Sequence, residues 1–247
     1  MNYKRFQSNL IHLSAIDSTN NYAANLLKTS NVVNGTTILT KRQDKGRGQS
    51  GNIWQTDPNK NLIASTIIFP KLKSGYLFYL NIAVSLAVAK TLEDIGINAK
   101  VKWPNDIYVG QNKIAGILIE NQIQGKWIKN SIIGVGLNVN QVFFLENSNA
   151  TSVFNEINKE LDVLDIFEHY FGYLDFYVDH LMNSNFELLL KRYYQLLFRY
   201  KEMAFYEDLN GVFEGEIVGI DSVGRLLIKT KTDLKVYSLK EVKHCFD

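Results

Sequence analysis

The 247-residue chain has a single cysteine, Cys245. One thiol cannot close an internal disulfide, and it excludes a zinc site built from several thiolates. Cys245 therefore reads as a free thiol. An excess of charge of one sign is lacking too: 27 Lys and Arg against 25 Asp and Glu leave a formal net charge of +2. That balance excludes a bulk electrostatic binder of nucleic acid or membrane and confines any such role to a local patch. No run approaches ~18 uncharged apolar residues, so no segment is expected to span a bilayer. The first thirteen residues hold no apolar stretch followed by a small-residue cleavage site, so no secretory signal is expected. The expected compartment is the cytoplasm.

What is present suits a folded protein. Hydrophobic residues make up 46% and charged residues 21%, which excludes disorder and a fibrous repeat. The length allows one large domain, or one large and one small. Asp17-Ser18-Thr19-Asn20 precedes Tyr22, Ala23, Leu26 and Leu27 at helical spacing and reads as a helix start. The β-branched runs 36–40 and 62–69 read as strands. Apolar residues from Leu77 to Ile95 recur at helical spacing, with Gly96 at the stop. Strands are expected near 100–103, 107–109, 114–119 and 129–139, with a tight hairpin turn at 110–112. Residues 157–202, rich in Leu, Phe and Tyr, read as two or three helices whose aromatics belong to a core. From 203 the period returns to two, and 203–247 reads as a small antiparallel barrel. The expected domains are 1–202 and 203–247.

Three segments carry chemistry. Lys41-Arg42-Gln43-Asp44-Lys45-Gly46-Arg47-Gly48-Gln49-Ser50-Gly51-Asn52-Ile53-Trp54 follows a strand and puts three glycines within six residues and four cations within seven. Glycines let backbone N–H groups approach an anion, and Arg offers a planar fork to phosphate oxygens. The spacing fits neither a dinucleotide fingerprint nor a Walker loop. Alone, the segment reads equally well as a solvated basic loop. The second segment is Lys102-Trp103-Pro104-Asn105-Asp106 with Lys113 across the hairpin. Pro104 keeps its predecessor extended, so Asn105 and Asp106 stand at the strand's lip with the Lys113 ammonium nearby. Alone, that pair reads as a surface ion pair and Trp103 as core. The third, Gly134-Val135-Gly136-Leu137-Asn138, places glycines inside a strand, which marks either a bulge or the close approach of a ligand or another backbone.

Together these segments resemble the biotin–protein ligases. The resemblance runs from about residue 12 to the end, on five ordered motifs: Asp17-Ser-Thr-Asn20, Gly46-Arg-Gly-x-x-Gly51-x-x-Trp54, Lys102-Trp-Pro-Asn-Asp106, Lys113-x-x-Gly116 and Gly134-x-Gly-x-Asn138. It implies an α+β fold: a mixed-sheet catalytic domain with flanking helices, of the class II synthetase and lipoate-ligase kind, then an SH3-like barrel. It implies that ATP activates biotin to biotinyl-5′-AMP and that a lysine of a biotin carboxyl carrier protein then takes the biotinyl group. A lipoate or octanoate ligase or transferase on a similar fold is the competing reading.

Residue by residue, the resemblance places Ser18, Thr19, Asn20, Gln43, Gly46, Arg47, Gly48, Gln49, Lys113 and Gly116 at biotin. It places Arg47, Trp54, Asn105, Lys113 and Asn138 at ATP or the adenylate. Arg47, Lys113 and Asp106 are the expected catalytic residues, with Asp106 accepting or orienting the proton of the incoming amine. Mg²⁺ is expected with ATP, although no carboxylate cluster suggests a dedicated metal site. The familiar bacterial loop reads Gly-Arg-Gly-Arg-Arg-Gly-Arg; Gln49, Ser50 and Asn52 stand here for three arginines, so a leakier adenylate is expected. Some relatives carry an N-terminal helix-turn-helix domain. Only 16 residues precede Asp17, so no DNA partner is expected. A homodimer is possible on resemblance alone.

Overall fold

The computed structural model describes Phe6, residues 9–145 and residues 148–246. Its first part runs β1 (Asn9–Leu13), α1 (Thr19–Thr29), β2 (Thr36–Thr40), β3 (Leu62–Ile68), α2 (Leu77–Asp94), β4 (Lys100–Lys102), β5 (Asp106–Val109), β6 (Asn112–Gln124) and β7 (Trp127–Leu137). Three helices follow, α3 (Val153–Ile157), α4 (Val163–Met182) and α5 (Phe186–Leu196). The last part is all strand: β8 (Met203–Asp208), β9 (Gly211–Ile220), β10 (Leu226–Lys229), β11 (Leu234–Tyr237) and β12 (Lys243–His244).

Seven strands form one mixed sheet in the order β1-β2-β3-β7-β6-β5-β4. Only β1 and β2 run parallel; the other neighbours are antiparallel. The centre of the sheet is covered on both sides, which is why β3 is buried at all seven positions and reads as an unbroken β-branched run. Alternation sorts its residues. Ile67 packs with Ile38, Ile132 and Ala23 of α1 on one face. Ala64 and Ile68 join Leu80, Val84 and Leu174 of α2 and α4 on the other.

Helix α2 is unusually apolar for its length. Among the described residues it lies in the one helix, 74–94, that is long and apolar enough to cross a bilayer. Eleven of its residues, from Leu80 to Leu92, are buried inside the protein, against the sheet and α4. At ~1.5–3 kcal/mol for each large apolar side chain, that burial explains the composition without a membrane.

The C-terminal strands form an antiparallel sheet in the order β11-β10-β9-β8-β12. The expected barrel does not close: no ladder joins β11 to β12 among the described residues. The edge strand β12 is short and pairs with β8 alone, Lys243 with Glu207 and His244 with Tyr206. This sheet shares the main core with the first part through Ile217, Leu226, Ile228 and Tyr237. Trp103 Nε1 donates to the Gly224 carbonyl at 2.9 Å, and any Cβ on Gly224 would lie 2.1 Å from the Phe78 ring of α2. A glycine turn therefore lets the second sheet seat directly on α2.

Candidate active site

Strands β6 and β7 pair with Gly116 opposite Gly136 and Leu118 opposite Gly134. Three missing side chains on neighbouring strands leave a trough in the sheet surface. Two side chains lie in it. Asn20 Oδ1 is 2.3 Å from where a Cβ on Gly134 would stand, and the Trp54 indole is 2.4 Å from the corresponding point on Gly136. Gly116 faces the same indole and the Lys113 side chain, at 3.0 and 3.3 Å. The trough opens into a cavity of about 140 Å³.

The neutral wall comes from the start of α1. Ser18 is the N-cap residue but makes no side-chain capping bond, so its buried hydroxyl faces the cavity instead. Thr19 donates to Gln43 Oε1 from both its backbone N–H (2.8 Å) and its hydroxyl (3.0 Å). Ser65, fully buried on β3, stands 2.7 Å from the Thr19 hydroxyl and 2.6 Å from Asn20 Oδ1. Asn20 Nδ2 donates to Glu120 Oε2 at 2.8 Å. Sequence reasoning missed Ser65 and Glu120. The signal available for Ser65 was a hydroxyl pair, Ser65-Thr66, inside an otherwise apolar run.

The glycine loop folds back over this wall. Asp44 and Lys45 are tied to the Ile16 and Asp17 carbonyls, and Gly48 N–H donates to the Asn52 carbonyl at 2.7 Å. Trp54 N–H donates to the Gly46 carbonyl, and a Cβ on Gly46 would lie 2.2 Å from the Trp54 carbonyl oxygen. Glycine at 46 is thus what lets Trp54 return to the trough. The Arg47 guanidinium bridges outward, with Asn21 Oδ1 and Glu120 Oε1 each at 2.5 Å.

The cationic end belongs to the β5–β6 hairpin. Lys113 Nζ meets Asp106 Oδ1 at 2.5 Å, each side chain about 30% exposed, and sits 5.6 Å from the centre of the Trp54 ring. Asn105 turns inward and donates to the Ile117 carbonyl, so its amide pins β6. Behind the site Lys102 Nζ approaches the Tyr108 hydroxyl at 3.3 Å. Burial holds the Lys102 ammonium below the usual lysine range and pushes the Tyr108 phenol up to about 12.

Of the expected residues, Ser18, Thr19, Asn20, Gln43, Arg47, Gly48, Gln49, Trp54, Asn105, Asp106, Lys113 and Gly116 line this one cavity. Gly46 and Asn138 do not. Asn138 donates to the Thr151 carbonyl at 2.9 Å and fixes the chain leaving β7, while its Oδ1 is buried without a partner. Trp54 Nε1 is likewise buried and unpartnered. Among the described residues no three His, Cys, Asp or Glu side chains gather as a metal site. The arrangement suits a molecule with an uncharged polar ring at one end and a carboxylate at the other, its apolar middle against Ile63, Ile117 and Val135.

Comparison with known proteins gives the family. Residues 13–138 match the biotin/lipoate A/B protein ligase family, and residues 207–241 match the biotin protein ligase C-terminal domain. The bifunctional ligase/repressor BirA of Bacillus subtilis (strain 168) is 30% identical over 237 residues, covering 93% of this chain and 72% of that protein. The counterpart from Bacillus spizizenii is 31% identical over the same shares. Among solved structures, the Aquifex aeolicus biotin protein ligase in complex with biotin and ATP superposes with a TM-score of 0.81 at 28% identity, covering 97% of this chain and 100% of that one. By family match, by relatives and by fold, the chain belongs to the biotin/lipoate A/B protein ligase family, on its biotin–protein ligase side.

Proposed function

We propose that this chain activates biotin with ATP and transfers the biotinyl group to a lysine of a biotin carboxyl carrier protein. The observation that carries the reading is one cavity lined both by the neutral donor–acceptor side chains of Ser18, Thr19, Asn20 and Gln43 and by the cations Arg47 and Lys113. Thr19, Asn20, Gln43 and Ser18 present hydroxyl and amide groups that match a ring urea. A linear acyl chain, as a lipoate or octanoate ligase would take, offers these groups no donor or acceptor of its own.

In the first step a biotin carboxylate oxygen bonds to the α-phosphorus of ATP and pyrophosphate leaves with the electron pair. Negative charge builds on the α-phosphoryl oxygens, and Lys113 and Arg47 are the groups placed to meet it. Lys113 exchanges part of its contact with Asp106 for phosphoryl oxygen; Arg47 turns its remaining N–H groups inward. In the second step a neutral lysine amine attacks the acyl carbon and AMP leaves. Asp106, at the lip of the cavity, accepts or orients the proton that the amine loses. Asn105 acts by holding β6 in register, and Trp54 supplies a flat surface for the nucleotide or the loop. Mg²⁺ comes as the salt of ATP, and no residue cluster is assigned to it.

The test is pyrophosphate release with biotin and ATP, followed by transfer of labelled biotin, against labelled lipoate, to a carrier domain. The expected result is biotin-dependent pyrophosphate and biotin transfer, with Arg47→Ala and Lys113→Ala losing most activity while staying folded. Lipoate transfer in preference to biotin, or near-normal turnover in both variants, overturns the reading.

A further inference from the structure

Glu120 lies on β6, in step with Gly116 and Leu118, and therefore on the cavity face of the strand. Its two oxygens serve two different elements. Oε1 takes the Arg47 guanidinium of the loop at 2.5 Å, and Oε2 takes the Asn20 amide of α1 at 2.8 Å. Asn21, the next residue of α1, holds another guanidinium nitrogen at 2.5 Å and is itself tied to Asp17. Arg47 is the single charged residue between 46 and 54. Within 46–54 the ionic contact with the body of the protein is the one to Glu120, beside the neutral contact with Asn21.

Resting on the function proposed above, we propose that Glu120 is a positioning residue that couples closure of the glycine loop to the wall that reads the neutral end of the substrate. It touches no reacting atom. As an exposed ion pair the contact is worth only ~0–1 kcal/mol of global stability. Its value is geometric. A carboxylate that must satisfy Arg47 and Asn20 at once fixes the distance between them, so a ligand that orders Asn20 also favours the closed place of Arg47. The network continues through Asn20 to buried Ser65 on β3, which anchors it in the sheet.

The test compares wild type, Glu120→Gln and Glu120→Ala in three measurements. Limited proteolysis across 44–54 in the ligand-free protein reads the latch without any chemistry; Glu120→Ala is expected to be cut at least threefold faster. Biotin-dependent ATP–pyrophosphate exchange is expected to show a KM for biotin raised about tenfold, with kcat changed less than threefold. Retained biotinyl-AMP is expected to escape at least fivefold faster. Glu120→Gln, which keeps one acceptor and the side chain's length, is expected to fall between the two and covers the case in which the alanine variant misfolds. Unchanged proteolysis, KM and escape overturn the proposal. An equal fall in kcat with no change in KM overturns it too, because Glu120 would then act in the transition state. A wild type that makes no pyrophosphate refutes the function proposed above instead, and the proteolysis comparison still decides the latch.

Discussion

Alanine at Gly134 is the sharpest single perturbation of the trough. The added Cβ would stand 2.3 Å from Asn20 Oδ1, 3.1 Å from its Cγ and 3.2 Å from its Nδ2. The nearest obstacle is a side-chain amide, so Asn20 must retreat by about 1 Å to reach ordinary contact. A move of that size breaks its contacts with Ser65 at 2.6 Å and Glu120 at 2.8 Å, beside the weaker one to the Leu118 carbonyl at 3.4 Å. One neutral bond and one bond to a charged group are worth roughly 2–4 kcal/mol together. If that loss falls on the recognition wall, biotin affinity drops by roughly 30- to 700-fold, at about 1.4 kcal/mol per tenfold. The fold itself should lose only about 1–3 kcal/mol, the usual cost of overpacking. Calorimetric titration of biotin, beside a thermal melt of the same variant, separates the two. A Gly134→Ala protein that binds biotin within threefold of wild type would refute the reasoning.

Four further outcomes follow from other parts of the molecule. Gly172 lies exposed in the middle of α4 with open space where a Cβ would go, so Gly172→Ala should stabilise the protein by ~0.5–1 kcal/mol, read as a higher Tm. Burial, reinforced by the Lys102 and Arg199 charges, depresses the His244 imidazole to about 3, against ~6.5 in an unfolded chain. Between those values the unfolded state binds a proton the folded state refuses. Stability from this group is therefore level above pH ~7 and falls as the pH drops toward 3, by at most ~1.4 kcal/mol per pH unit; urea denaturation at pH 7.5 and 5.0 should show a smaller loss in His244→Phe. Asn61 is buried and joins Gln141 Oε1 (2.6 Å) to the Val139 N–H (3.0 Å), so Asn61→Ala should cost ~2–3 kcal/mol in denaturant melts. With Gln49 in the cavity wall in place of a cation, free biotinyl-AMP should accumulate when the carrier is omitted, and Gln49→Arg should slow that release.

The features legible in the sequence are those that constrain the backbone locally. The α1 start, the hairpin at 110–112 and the paired glycines of β7 each leave a residue type that the backbone geometry demands. The grouping of Thr19, Gln43, Asp106 and Lys113 was legible because four separate segments carried their own motif. Ser65 and Glu120 were not, because each is ordinary in its own strand and acquires partners only where α1 and the glycine loop pack over the sheet. Asn138 was misleading for the opposite reason. It ends a motif whose glycines shape the trough, yet its own amide turns away to hold Thr151.

The place of Trp54 gives the protein an optical readout of its own. Its indole rests on the β6 and β7 glycines with a lysine ammonium 5.6 Å away and its ring N–H without an acceptor. Of the other two tryptophans, Trp103 is locked to the Gly224 carbonyl and Trp127 is half-exposed at the far hairpin. Any molecule that enters the trough must alter the polarity around Trp54 and leave the other two chromophores as they were. A shift in ultraviolet emission on titration would thus report occupancy directly, in unlabelled protein and in real time.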